Sequence, residues 1–205
     1  MYRSVIVKVI ITSLLIVSFC NAQIVKKGNL YGYKITYVKY SNGKKIENQD
    51  PLIVFTSQKE TLLSSENIQA KKSNYPFEIT RINRADNSYI QLAYLNANNS
   101  VAVVDTNSIL KQKLELVNET KTILGYVCKK AKTVVNSNSI ELWYTDQLGV
   151  KGAPALLGQN LGLVLETVRN GNSVVTASKI ESLKKGESNF ISNDFYSSPK
   201  TDVLS

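Results

Sequence analysis

The feature that most constrains the fold is a series of short runs in which apolar and polar residues alternate, separated by turns rich in Asn, Gly and Ser. In the run "YGYKITYVKY", Tyr33, Ile35 and Tyr37 fall on one face, while lysine and threonine face the other way. This two-residue period is typical of a half-buried strand. Asn42-Gly43 and Asn170-Gly171 have the composition of type I′ turns and predict two hairpins.

Similar runs continue along the chain, whereas helical signals are weak. Residues 57–72 allow at most a short helix, and residues 152–160 read as a loop. We therefore predict a mainly β fold, a single curved antiparallel sheet or open half-barrel with few short helices. The further predicted strands are "LIVF", "SYIQLAYL", "VAVVDT", "KLELV", "TILGYVCKKAKTVV", "IELWYT", "GLVLETV" and "SVVTASKI".

The N-terminal segment has the layout of a signal peptide, with basic residues followed by an apolar run too short to span a bilayer. Cleavage before Gln23 is the favoured interpretation, and lipidation at Cys20 is the alternative, disfavoured by the bulky Phe19 before it. Export predicts a periplasmic or outer-membrane-associated location. The predicted organisation is a signal peptide at 1–22, a β domain at 23–185 and a polar tail at 186–205.

The composition restricts the possible chemistry. The chain has no histidine, which excludes Ser-His-Asp and Cys-His catalysis and histidine-ligated zinc. The formal net charge is +9, but the lysines are spread in pairs along the chain and no nucleic-acid-binding motif accompanies them. We expect no metal, no cofactor and no nucleic-acid partner, and peripheral contact with anionic lipid remains open.

After removal of the N-terminal segment, Cys128 is the remaining cysteine, inside a predicted strand. A lone thiol is a buried small hydrophobe, a partner for another chain or a nucleophile. Its neighbours Tyr126 and Lys130 share its face of the strand, and no histidine is present to serve as a base. The favoured interpretation is a packing role.

Two further residue classes are candidates for a site. A hydrolase would need a pair of carboxylates across a cleft, and no spacing singles out a pair among Glu115, Glu119, Glu141, Asp146 and Glu166. The chain also has 11 tyrosines, which line either a packed sheet or an apolar cavity. The candidate ligand-binding residues are Tyr33, Ile35, Tyr37, Leu92, Tyr94, Tyr126, Trp143 and Leu165.

The stretches "ETKTILGYVCKKA" and "IELWYTDQLG" together resemble the GLPGLI family of exported proteins. "ETKTILGYVCKKA" is similar to that family's Thr-Lys-x-Ile-x-Gly-Tyr-x-Cys-Lys-Lys-Ala run, and "IELWYTDQLG" is similar to its Trp-Tyr-Thr-Asp run. The loop "KGAPALLGQN" and the ending "LGLVLE" follow, although the proline of the family's name motif is absent and Leu161 stands in its place.

The resemblance implies an exported, non-enzymatic Bacteroidota-type protein similar to the open β-barrels of periplasmic lipoprotein carriers. The resulting hypothesis is a non-catalytic envelope protein that binds an apolar ligand or an envelope protein. The alternative hypothesis is a periplasmic hydrolase that uses a carboxylate pair.

Overall fold

The computed structural model describes residues 30–184 and 201–204 of the 205-residue chain. The predicted signal peptide at 1–22 and most of the predicted tail lie outside the described residues. One short strand at the end of the chain does fall inside the predicted tail. No helix in the described part is long and apolar enough to cross a membrane.

The described residues form thirteen strands and one short helix. Their bounds, in chain order, are β1 Leu30–Ser41, β2 Lys44–Lys45, β3 Leu52–Ser57, β4 Glu60–Ser65, α1 Glu66–Gln69, β5 Phe77–Asn83, β6 Tyr89–Tyr94, β7 Ser100–Asp105, β8 Glu115–Ile123, β9 Tyr126–Val135, β10 Asn138–Thr145, β11 Leu163–Arg169, β12 Ser173–Lys184 and β13 Thr201–Leu204.

All these strands belong to one sheet, in the order β13-β7-β6-β5-β4-β3-β1-β12-β11-β10-β9-β8, with β2 paired to β1 alone. Neighbours are antiparallel except for β13, which runs parallel to β7. The path ends at β13 and β8 and is not closed. The predicted fold class, a mainly β protein built on one open antiparallel sheet, is confirmed.

The Asn-Gly turns form as predicted. Asn42 and Gly43 have φ values of 49° and 75°, and Asn170 and Gly171 have values of 51° and 72°. Both residues of a type I′ turn need positive φ, which Asn and Gly adopt at low cost. The first turn joins β1 to β2, and the second joins β11 to β12.

One predicted strand is in fact a hairpin. The run "TILGYVCKKAKTVV" was expected to be continuous, but the chain turns at Leu124 and Gly125, with φ values of 49° and 84°. Ile123 pairs across the turn with Tyr126, so the two side chains share a face, whereas a continuous strand would place them on opposite faces. The pattern misled because leucine is an uncommon residue at positive φ.

The region predicted as a possible helix is mostly strand. Within residues 57–72, β4 precedes α1, which is only 4 residues long. The adjacent Leu62 and Leu63 are both buried, on opposite faces of β4, which gives neither a helical nor an alternating pattern. The strand β5 was not predicted at all.

Apolar clusters form on both faces of the sheet. Val54 joins one cluster, whereas its neighbours Ile53 and Phe55 join another, as the pleat requires. Trp143 belongs to the first cluster, and the flanking Leu142 and Tyr144 belong to a third. The first cluster comprises Tyr33, Ile35, Tyr37, Val54, Leu63, Ile82, Ile109, Cys128, Trp143, Val150, Leu163, Leu165 and Ala177.

The loop at residues 146–162 fills a gap in the sheet at the start of β11, where β11 does not yet pair with β12. At the start of β11, Val164 does not pair with β12; its N–H bonds instead to the carbonyl oxygen of Gly152 at 2.8 Å. The carbonyl of Val164 accepts from the hydroxyl of Tyr37 at 2.6 Å. A loop residue and a tyrosine side chain thus replace the missing ladder bonds, and the loop is held against the sheet.

Candidate functional site

A polar cavity of about 370 Å³ lies where this loop meets the turns that follow β3 and β5; we name it the Arg84 cleft. Its lining comes from parts of the chain that are far apart in sequence. The lining residues are Ser57, Gln58, Arg84, Asn87, Asp146, Gly149, Val150, Lys151, Asn160 and Gly162.

Arg84 is held by neutral acceptors. Its Nη1 donates to the carbonyl oxygen of Gln159 at 2.7 Å, and its Nη2 donates to the side-chain oxygen of the same residue at 2.6 Å. Nη2 also contacts the carbonyl oxygen of Lys151 at 3.1 Å and the hydroxyl of Thr61. Gln159 and Thr61 are completely buried. The guanidinium therefore fastens the loop to β4.

The cleft carries positive charge without matching carboxylates. Burial lowers the pKa of Arg84 to about 10, because an apolar environment disfavours the charged form. Among the ion pairs of the described residues, none includes Arg84 or Lys151. The one carboxylate of the lining, Asp146, pairs with Lys129 at 2.9 Å. The hydrogen bond that Lys129 donates to Asp146 raises the pKa of Lys129.

Gly162 permits the close approach that shapes one wall. A Cβ at this position would collide with the carbonyl oxygen of Thr145 and lie 2.5 Å from Oδ1 of Asp146. The structure shows that any side chain here would push the loop away from β10.

A second charged group surrounds the chain's single tryptophan. Trp143 is 7% exposed, with the ammonium groups of Lys121 and Lys130 at 4.2 and 5.3 Å from its ring centroid. Both distances suit cation–π contacts. Lys121 pairs with Glu166, and Lys130 pairs with Glu141 at 3.0 Å. We name these residues the tryptophan cluster.

Every carboxylate considered as a catalytic candidate has a lysine partner. Glu119 lies 3.2 Å from Lys130, and Glu115 lies 3.3 Å from Lys132. Glu115 and Glu141 both line an open groove of about 820 Å³ beside β8, β9 and β10. In the described part of the chain, no group of three or more Cys, Asp or Glu is placed to hold a metal ion.

Cys128 is completely buried in the first apolar cluster. Burial raises the pKa of its thiol to about 11, against a smaller opposing effect from the Lys121 ammonium. The thiol is thus protonated at neutral pH, and its Sγ lies 3.6 Å from the carbonyl oxygen of Tyr126. A nucleophile needs an accessible thiolate. The structure agrees with the favoured packing role.

The eight candidate ligand-binding residues do not share one face. Tyr33, Ile35, Tyr37, Trp143 and Leu165 are buried in the first cluster, and Tyr126 packs against it. Leu92 and Tyr94 belong to the second cluster, on the other face of the sheet. None of the eight lines the Arg84 cleft, the open groove beside β8, β9 and β10, or a further cavity bounded by Lys59 and Tyr89. Ligand binding by these residues stays a prediction.

Of the residues that line the Arg84 cleft, sequence reasoning named Asp146 as a candidate carboxylate but missed Arg84 and Lys151. Arg84 lies in a turn and donates to acceptors that are 67 and 75 residues away in the sequence, so the local pattern does not show which residues it meets. A usable signal was the stretch "INRADNSY", where one arginine stands among turn-forming residues between two apolar runs.

Comparison with known proteins gives a family. The family model described as "N-glycanase peptide, N-terminal domain" (PNGase F-II) matches residues 35–205. One solved structure, of PNGF-II in space group P21, is 49% identical with a TM-score of 0.73, and the match covers 75% of this chain and 29% of that chain. Another, in space group C2, is 43% identical with a TM-score of 0.78, covering 85% and 31%.

Among curated protein sequences, none matches the chain significantly. The chain spans less than a third of the length of the two PNGF-II chains. The family relation supports the prediction that the protein is exported.

These matches correct the predicted family and function. The GLPGLI resemblance is wrong, because it rested on residues 119–166 alone, whereas the N-glycanase model matches residues 35–205. Short strand motifs recur in unrelated β proteins and are weak markers of a family. The prediction of a non-catalytic envelope protein that is not an enzyme is wrong too, because the matching family is an enzyme family, that of the N-glycanases. The chain belongs to the family of PNGase F-II N-terminal domains.

Proposed function

We propose that the chain acts in the enzymatic release of N-linked glycans, as the N-terminal domain of an N-glycanase, and that its Arg84 cleft holds part of the carbohydrate. The single observation that carries the proposal is the family match over residues 35–205, supported by 43–49% identity to PNGF-II. Because the chain spans less than a third of the length of PNGF-II, we propose for it only a part of the function of the whole enzyme.

The chemistry of the cleft suits a sugar. Sugar hydroxyls both donate and accept hydrogen bonds, and amide and carboxylate side chains offer both partners. Gln58, Asn87, Asp146 and Asn160 bring such groups to one cavity. Asn160 donates its amide N–H to the carbonyl oxygen of Ile109 at 3.0 Å, which fixes its orientation. The volume of about 370 Å³ lies at the small end of the range for ligand sites.

The location of this work is also a proposal. We place the protein in the periplasm or at the outer membrane, which follows from the predicted signal peptide. The sequence predicts other partners, namely an apolar ligand, an envelope protein or a lipid surface. These stay predictions, in addition to the glycan proposed here.

Titration with a neutral N-glycan core, two N-acetylglucosamines bearing three mannoses, tests the proposal. The full chain is followed by calorimetry and NMR. We expect saturable binding, weakened about tenfold in Asn87→Gly, as for loss of one or two hydrogen bonds. Asn136→Gly is a matched control, since Asn87 and Asn136 have φ values of 57° and 47° in turns far apart in the sequence.

The expected result is a loss of affinity in Asn87→Gly with unchanged binding in Asn136→Gly. Absence of binding to the wild-type chain, or the same loss in both variants, would overturn the assignment of the cleft. A parallel assay follows glycan release from a glycopeptide by mass spectrometry, since hydrolysis of the linkage converts asparagine to aspartate.

A further inference from the structure

We infer that the Arg84 cleft selects glycans that carry an anionic group, a carboxylate or a sulfate, and that Arg84 and Lys151 supply the counter-charge. This inference rests on the proposed function and deepens it by naming the substrate class. The neutral parts of the glycan would contact the amide side chains, and the anionic oxygens would face the two cations.

The first argument is the charge balance of the cleft. Its lining contains two cations, Arg84 and Lys151, and one carboxylate, Asp146. The carboxylate is already paired with Lys129 at 2.9 Å, outside the lining. Neither cation of the lining takes part in an ion pair among the described residues. The cleft therefore has a positive charge that no side chain described here neutralises.

The second argument is the incomplete hydrogen bonding of the guanidinium. Nη1 and Nη2 of Arg84 are satisfied by Gln159, Lys151 and Thr61, but Nε is buried without a hydrogen-bond partner. A buried charge is costly unless it is paired. Elsewhere in the chain, the partly buried Arg81 meets Glu60 at 2.6 Å. Arg84 has no carboxylate partner of this kind among the described residues, and an anion bound in the cleft would supply the counter-charge.

A purely structural role does not account for Lys151. Its backbone carbonyl accepts from Arg84, but its side chain is exposed at the edge of the cleft. An exposed ammonium contributes little to stability. It is, however, well placed to attract an anion that approaches Arg84, because charges around a concave site focus their field.

The experiment compares the binding of two glycans to the full chain at low and high salt. The probes are a sialylated biantennary N-glycan and the same glycan after removal of its sialic acids. We expect the acidic glycan to bind about tenfold more tightly at low ionic strength, as for one charged hydrogen-bonded contact. Added salt should reduce this advantage and leave the neutral glycan nearly unaffected.

Lys151→Gln is the principal variant, because it removes a charge without touching the contacts that hold the loop. We expect it to reduce the preference for the acidic glycan, measured as the ratio of the affinities for the two glycans. Lys39→Gln, at another exposed lysine, is the matched control. Arg84→Gln is a second test, interpreted only after circular dichroism confirms that the variant is folded.

Each outcome separates the two proposals. If the neutral glycan binds but the acidic one gains nothing, the inference is wrong and the proposed function stands. Absence of binding to both glycans defeats the proposed function itself. Equal effects of Lys151→Gln and Lys39→Gln would show that the preference comes from the net positive charge of the whole chain and not from the cleft. That result would overturn the inference. Competition by free N-acetylneuraminate or by inorganic sulfate then tells a carboxylate sugar from a sulfated one.

Discussion

Replacement of Tyr37 by phenylalanine tests how the loop is held in the gap of the sheet. The Tyr37 side chain is completely buried, and its hydroxyl donates to the carbonyl oxygen of Val164 at 2.6 Å. The N–H and C=O of a strand residue point to the same side, and the N–H of Val164 bonds to the loop residue Gly152 and not to a strand there. Loss of the hydroxyl leaves a buried acceptor unpaired. We expect the free energy of unfolding to fall by about 1–2 kcal/mol at neutral pH.

The destabilisation caused by the same substitution should become smaller at high pH. Burial raises the pKa of Tyr37 far above its ordinary value of 10. The folded chain thus keeps the phenol neutral at a pH at which the unfolded chain ionises it. This contribution to stability is complete below about pH 10 and is lost as the pH rises toward the folded pKa, with a slope of about 1.4 kcal/mol per pH unit.

Near pH 11 the wild-type protein should therefore have lost about 1.4 kcal/mol through Tyr37, a loss that Tyr37→Phe cannot show. The difference between the two proteins should shrink from about 1–2 kcal/mol at pH 7 to less than about 0.6 kcal/mol at pH 11. Contributions from the other tyrosines cancel, since both proteins contain them.

Urea unfolding at 25 °C between pH 7 and pH 11, followed by the fluorescence of Trp143, measures this difference. Tyr40→Phe is the control, because Tyr40 lies on the same strand and is partly exposed. We expect a small change for the control at neutral pH, because Tyr40 is partly exposed. A gap between wild type and Tyr37→Phe that stays constant from pH 7 to pH 11 would refute the reasoning.

Three further predictions concern single residues. Gly162→Ala should lower the free energy of unfolding by about 2–3 kcal/mol in urea titrations, because its Cβ collides with the carbonyl of Thr145. Cys128, with its pKa near 11, should react with a thiol reagent at pH 8 far more slowly in the folded than in the unfolded chain, as measured by mass-mapped labelling; equal rates would contradict its burial. Leu124→Asn should raise the melting temperature and add about 0.5–1 kcal/mol, because the 47%-exposed leucine has positive φ before Gly125; a fall in melting temperature would show that the leucine's contacts matter more.

The fold class was predictable because the hairpin signals are local. Asn42-Gly43 and Asn170-Gly171 encode turns through the conformational preferences of two adjacent residues. Prediction failed where the turn residues were unusual, as at Leu124, and where buried leucines stood side by side in β4. In both places the contacts of the folded sheet outweigh local preference.

The candidate site could not be predicted in the same way. Arg84, Gln159 and Lys151 meet only because the loop at 146–162 enters the gap beside β11. That gap depends on where the pairing of β11 with β12 stops, which no local pattern specifies. The sequence contained the residues, but the juxtaposition that makes them a site is a property of the whole sheet.

The tryptophan cluster is the competing location for a ligand, and its electrostatics argue against it. Trp143 is 7% exposed, and the lysines that cover it are already paired with Glu166 and Glu141. A ligand there would have to break these ion pairs and uncover the ring before it gained any contact. In the Arg84 cleft the cations have no carboxylate partner and the cavity is already open. The proposed binding at the cleft would break no ion pair of Arg84 or Lys151, so it would avoid the cost that a ligand at the tryptophan cluster would have to meet.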